Sequence, residues 1–122
     1  MTRARRALGR AGEEIAARHL LAQGYAIIER NVALKVGEID IVARDGDVVV
    51  LVEVRARRST AWGGALESVG PQKQRKLARV ARAYLGLRGL EHLPCRFDVV
   101  AVTWLPGAGG PQVEHVRNAF TP

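Results

Sequence analysis

The stretch Val48–Val54, VVVLVEV, is apolar at every position but one. A half-exposed strand would alternate and an amphipathic helix would cycle. A β-branched run with no polar face reads instead as a central strand covered on both sides. Such a strand requires neighbours in a sheet and cover above and below. With 122 residues and 13.3 kDa there is room for that as one domain, residues 1–122, around one core. The exception in the run is Glu53. An acid set into an apolar strand is costly unless something binds it, so the chemistry is sought here.

The preceding segment supplies a partner strand. Asp45-Gly46 is a turn signal, and Ile39 and Ile41 alternate with Glu38, Asp40 and Val42. If Arg44 pairs with Asp47 across the turn, Ile41 faces Val50, Ile39 faces Val52 and Asp40 faces Leu51. Ile39, Ile41, Val50, Val52 and Val54 then share one face, and Asp40, Glu53 and Arg55 share the other. Asp40 and Glu53 become diagonal neighbours with Cα atoms roughly 7–8 Å apart, within reach of one cation.

Residues from about 3 to 23 read as a helix, with Leu8, Gly12, Ile15, Ala16, His19 and Leu20 on one arc. Glu14 lies on the far side, spaced to pair with Arg10 and Arg18, while Glu13 falls at the edge of the buried arc and points inward. His19 reads as a packed imidazole. Gly24 ends the helix. Tyr25–Arg30 is a short strand and Asn31 begins a turn. After a loop from Arg58 to Gly70, a second helix runs from Pro71 to about Leu87. Its stripe of Lys73, Leu77, Val80 and Tyr84 places Lys73 at the start of the core-facing side. Lys76, Arg79 and Arg82 occupy another face, suited to phosphates. Arg96–Trp104 is a further strand, and a short one near Val113–Arg117 closes the sheet edge.

The net charge is +7 and the pI near 10.7. A balance this basic points to a polyanionic partner, most often nucleic acid. A single cysteine, Cys95, allows no internal disulfide, and without a signal peptide the expectation is a reducing, cytoplasmic setting. No apolar run approaches the roughly 20 residues that span a bilayer. Three histidines and one cysteine lack zinc-ligand spacing.

Phosphodiester hydrolysis needs hard oxygen ligands for Mg²⁺ or Mn²⁺, a cation near the phosphate and a positioned water. Asp40 and Glu53 supply the ligands, Glu13 a further metal contact, and Arg55 or Lys73 the positive charge. Arg57, Arg58, Lys76, Arg79 and Arg82 are candidates for nucleic-acid contact.

D-x(12)-E-x-[basic] on a hairpin after an acid-bearing helix resembles the PD-(D/E)XK nuclease superfamily, which includes archaeal Holliday-junction resolvases. Gly9-Gly12-Glu13, Gly24-Tyr25, Arg30-Asn31, Gly37–Asp40, Val52–Arg57, Val69 with Lys73, Ala81–Leu85 and Arg96–Val100 resemble, in order, the motifs of the bacterial YraN-type family. The resemblance implies a restriction-endonuclease-like αβββαβ core, a mixed central sheet with helices on both faces. It further implies a metal-dependent endonuclease acting on DNA, branched or structured, working as a homodimer. It places metal-ligand roles on Asp40 and Glu53, the first-helix acid role on Glu13, and the motif lysine on Arg55. Arginine keeps the charge but is effectively never deprotonated, so it stabilises phosphate charge and does not act as a base; Lys73 is the spatial substitute.

Other readings stand beside these. Glu53 and Arg55 pair simply with each other or with neighbours on a wet sheet face. Asp98, in an apolar strand, is a structural hydrogen-bonding acid. Glu38 is a further ligand or merely exposed. Trp62 stacks on a base or packs under its own loop. At the level of function, the alternatives to a nuclease are a nucleic-acid-binding module that keeps the fold without catalysis, and a protein-contacting scaffold.

Overall fold

The computed structural model describes residues 2–61 and 63–121. The order is α1 (Arg3–Ala22), β1 (Ala26–Leu34), β2 (Gly37–Asp45), β3 (Val48–Arg57), α2 (Pro71–Arg88), β4 (Cys95–Trp104) and β5 (Pro111–Phe120). The strands form one sheet in the order β1-β2-β3-β4-β5. β3 and β4 are parallel and the other pairings antiparallel. This is the restriction-endonuclease-like αβββαβ arrangement with β5 added at the edge. β5 is a full strand of 10 residues, longer at both ends than the short closing segment expected near Val113–Arg117. Trp62 lies outside the described residues. No helix among them is long and apolar enough to cross a membrane.

β3 is the central strand its composition demands. Alternate residues serve two separate cores: Val49 and Leu51 pack with Leu77, Val80 and Tyr84 of α2, while Val50 and Val52 pack with Ala16 and Leu20 of α1. Each helix therefore covers one face. α1 begins with the Thr2 hydroxyl accepting from Arg5 N–H at 3.1 Å, an N-cap. Pro71 opens α2, and Gly89 closes it in the left-handed region at φ +67°.

The β2–β3 turn sits one step from its expected place. Asp45 pairs with Val48 and Ile41 with Val52, so the loop is Gly46-Asp47. Gly46 has φ +60° and Asp47 is not in the left-handed region, as in a turn with glycine at its first central position. Each pairing moves by two in the partner strand, so side-chain parity survives and Asp40 falls opposite Glu53 instead of diagonal to it.

A second correction lies at Asp40. Ile39 belongs to the α2-side core with Val32, whereas Ile41 belongs to the α1-side core. Two residues that strict alternation places together are thus on opposite faces. The cause is local. The ladder ends at Ile41–Val52, and the Asp40 carboxylate accepts the Val54 N–H at 2.8 Å where a strand carbonyl would. On the other side, Asn31 takes φ +54° without ending β1, which runs through the expected turn to Leu34.

α1 meets β3 most closely at Gly12. A Cβ there would lie 2.6 Å from Ala56 Cβ, and neither group can swing away. Gly12→Ala is expected to destabilise the fold by about 1–2 kcal/mol, because overpacking outweighs the helix-propensity gain of up to ~1 kcal/mol. Urea unfolding of the two proteins measures the difference. An equal or higher midpoint for the alanine variant would show that the helix simply shifts.

Candidate active site at the fork of β2 and β3

Beyond Ile41–Val52 the two strands part, and two clefts open at the fork. One, of about 910 Å³, lies on the α1 face between Arg5, Gly9 and Glu13 on one side and Arg57, Arg58, Glu67 and Ser68 on the other. The other, of about 470 Å³, lies on the α2 face beside Lys73, Lys76 and Gly37. Asp40, Val54 and Arg55 line both. The clefts therefore meet at Asp40, with Glu53 beside it on the α2 side.

Glu53 is 7% exposed and points to the α2 side. Its carboxylate lies 3.4 Å from Lys73 Nζ and 3.8 Å from Arg55 Nη1. Burial, and next the charge of Asp40 against it, push the Glu53 carboxyl up to about 8; Lys73 and Arg55 offset only part of this. Two carboxylates are thus held together, and Asp40 opposes the ionisation of buried Glu53. Both cations that answer Glu53 are more than 40% exposed, so they touch the pair from the solvent side.

Glu13 approaches from α1. In the amide orientation that satisfies both groups, Asn31 donates to its two oxygens at 2.8 and 2.9 Å. Burial, then the Asp40 charge, hold Glu13 above the usual carboxylate range. The left-handed backbone of Asn31 is what turns its amide toward α1, a partner that reading Asn31 as a turn had hidden. Glu14, as expected, stays at the surface, bonding Arg18 at 3.4 Å and Arg30 at 3.1 Å, but not Arg10.

The structure gathers Glu13, Asp40, Glu53, Arg55 and Lys73 around the fork. Among the described residues, no three histidine, cysteine or acidic side chains come close enough to hold an ion by themselves. The pair Asp40–Glu53 is the compact donor set, with Glu13 in the adjoining cleft. The proposed nucleic-acid residues separate. Arg58 lines the α1-side cleft and Lys76 the α2-side cleft, but Arg79 and Arg82 line neither. Arg57 spends its guanidinium on the fold, donating from Nε to Thr103 Oγ1 at 3.0 Å and from Nη1 to the Gly63 carbonyl at 2.6 Å. Its position in the basic triplet gave no sign of that. Glu38 is exposed on the rim of the α2-side cleft. Arg5, also in the α1-side cleft, was missed because a basic helix start carries no periodic signal.

Asp98 does not join the site. It is fully buried, and Tyr25 Oη and His115 Nε2 meet its Oδ2 at 3.0 and 2.8 Å. Arg96 Nε and the Asn118 N–H meet its Oδ1, both at 3.0 Å. Burial pushes its carboxyl up, but the bonds from His115, Asn118 and Arg96 outweigh burial and hold it below the usual range. This is the structural acid its strand setting implied.

The model of the uncharacterised protein family UPF0102 matches residues 12–102, a span running from the glycine that seats α1 to Val102 in the buried part of β4. The chain belongs to the UPF0102 family. It is 51% identical to a UPF0102 protein of Stutzerimonas stutzeri over 114 residues, 92% of each chain. It is 50% identical to one of Symbiobacterium thermophilum, covering 94% of this chain and 97% of that one. It is 51% identical to one of Anaeromyxobacter dehalogenans, covering 95% and 85%. The UPF0102 span holds every residue at the fork, and the YraN-type motifs in the sequence belong to this family.

Proposed function

We propose that this UPF0102 chain is a divalent-metal-dependent endonuclease that hydrolyses phosphodiester bonds of DNA, with Asp40 and Glu53 as ligands of Mg²⁺ or Mn²⁺. The observation that carries the reading is the pairing of these two carboxylates at the junction of two open clefts. The donor set fits the ion: the oxygens are hard, as Mg²⁺ and Mn²⁺ prefer, and a cation relieves the repulsion that burial imposes on the pair. When bound, the ion supplies Lewis-acid polarisation of a phosphate and a more acidic water.

The chain's own groups do the rest. Asp40, tied to the Val54 N–H through one oxygen, lines both clefts and supplies a carboxylate ligand. Arg55 lines both clefts and places a permanent positive charge where phosphate charge develops. Lys73 holds Glu53 in place from the first turn of α2. Glu13, steadied by Asn31, orients water on the α1 side.

One observation favours a second reading, a nucleic-acid-binding protein without catalysis. Arg55 stands where the superfamily carries lysine, and Lys73 and Arg55 already contact Glu53. Purified protein with Mg²⁺ or Mn²⁺ separates the two. Nicking or cutting of duplex, single-stranded or branched DNA, abolished by EDTA and by Asp40→Ala while DNA binding is retained, is the expected result. Arg55→Lys is expected to keep or raise the rate. Salt-sensitive binding with no cutting of any of these substrates in either metal would leave only the binding reading.

A further inference from the structure

We infer that the α1-face cleft is a track for a single nucleic-acid strand, gripped through its phosphates by Arg5 and Arg58, which turns around the β2–β3 fork into the α2-face cleft beside Lys76. The inference rests on the fork being where a phosphodiester is held, but it requires no cleavage.

The distribution of charge within the α1-face cleft sets the first constraint. Arg5 and Arg58 are exposed at its mouth and, among the described residues, neither makes a salt bridge nor a side-chain hydrogen bond. Glu13 and Asp40 are half-buried on its floor. Exposed Glu67 on the wall offsets part of the positive charge. Cations at the mouth and acids at the floor suit a phosphate backbone that lies along the rim and dips toward the acids at one point. Across the fork, among the described residues, Lys76 is the exposed, unpaired cation of the α2-face cleft, since Lys73 and Arg55 are engaged with Glu53.

The placement of the clefts sets the second. Each lies under a different helix, so they are on opposite faces of the sheet, and only Asp40, Val54 and Arg55 belong to both. A chain occupying both must turn about the end of β2 and β3. Duplex DNA resists bending over so short a length, whereas a single strand turns freely. No aromatic residue lines either cleft among the described residues. The described lining therefore offers phosphate contacts, from Arg5, Arg58 and Lys76.

Fluorescence anisotropy in EDTA tests this without any cleavage, with a labelled oligothymidylate of about 20 nucleotides and a blunt duplex of equal length. The single strand is expected to bind at least about 10-fold more tightly than the duplex. Arg5→Gln/Arg58→Gln should raise its Kd about 10-fold and flatten the plot of log K against log salt by about 1–1.5, the loss of two phosphate contacts to a single strand. Arg79→Gln/Arg82→Gln, off both clefts, should stay within about twofold of wild type. Equal or tighter duplex binding, or an Arg5→Gln/Arg58→Gln protein with unchanged salt dependence, would overturn the inference. Tight binding without cutting in Mg²⁺ would defeat the nuclease reading and leave this one standing.

Discussion

Asp98→Asn is expected to unfold at a urea concentration well below wild type, corresponding to a loss of about 3–5 kcal/mol, the scale for breaking a buried charged network. The substitution barely changes shape, so the loss is one of hydrogen-bond polarity. All four partners of Asp98 donate: Arg96 and the Asn118 N–H to one oxygen, Tyr25 and His115 to the other. Turned toward Arg96 and Asn118, an asparagine NH₂ faces two obligate donors; turned the other way, it requires the Tyr25 hydroxyl and the His115 imidazole to exchange donor for acceptor roles. The consequences spread because the partners come from three places: Tyr25 follows α1, Arg96 on β4 also holds Asp45 beside the β2–β3 turn at 3.1 Å, and His115 and Asn118 lie on β5. In a domain of this size the loss is expected to lower Tm by on the order of 10–20 °C. A change under about 1 kcal/mol, the ordinary worth of a single hydrogen bond, would mean that the four bonds are not made together.

Glu53→Gln should move stability and activity in opposite directions. The folded-state pKa of Glu53 is raised by burial and by Asp40 from 4.5 to about 8. Between those values the folded protein holds a proton that the unfolded chain releases, so this group's contribution to stability declines as pH rises through that window. A glutamine does not titrate. The variant should match wild type near pH 4–5 and exceed it at pH 8 by about 2–4 kcal/mol. Lys73 and Arg55 lose their partner, but both are largely solvated and lose little. The same change removes a proposed metal ligand, worth several kcal/mol of transition-state stabilisation, and cutting should fall by on the order of 10²–10³-fold. Chemical unfolding across pH measures the first effect and a nicking assay the second. A glutamine variant less stable than wild type at pH 8 would show that Glu53 is held ionised by its two cations.

The two strand acids show where sequence reading succeeded and where it ran out. Both were legible as acids in apolar strands. Both substitute a carboxylate for a ladder acceptor at an irregularity that an asparagine with positive φ accompanies: Asn31 near Asp40 at φ 54°, Asn118 near Asp98 at φ 49°. Asp98 is saturated by four donors, while Asp40 accepts from the Val54 N–H and lines two open clefts beside Glu53. That difference separates a structural acid from a site candidate. It depends on residues distant in the chain, so no local pattern could reveal it. Parity, by contrast, was robust. The turn was misplaced by one step on each strand, yet Asp40 and Glu53 stayed together because the two shifts compensate. Helix phase chose Glu13 over Glu14 for the same reason, since one step around α1 separates a cleft from bulk water. Where phase carries no information, as for Arg57 and Arg5, the sequence was silent about which arginine serves the fold and which the cleft.

The parallel pairing of β3 with β4 has a consequence for how the chain folds as it is made. Every partner of β3 on that side, from Cys95 to Thr103, lies beyond the loop and the whole of α2. Until β4 arrives, the most apolar strand of the protein has one neighbour and an open edge. Such non-local pairing slows folding and leaves a sticky intermediate. An N-terminal half emerging from the ribosome is therefore the stage at which this protein most needs a chaperone, and the stage from which it most readily aggregates.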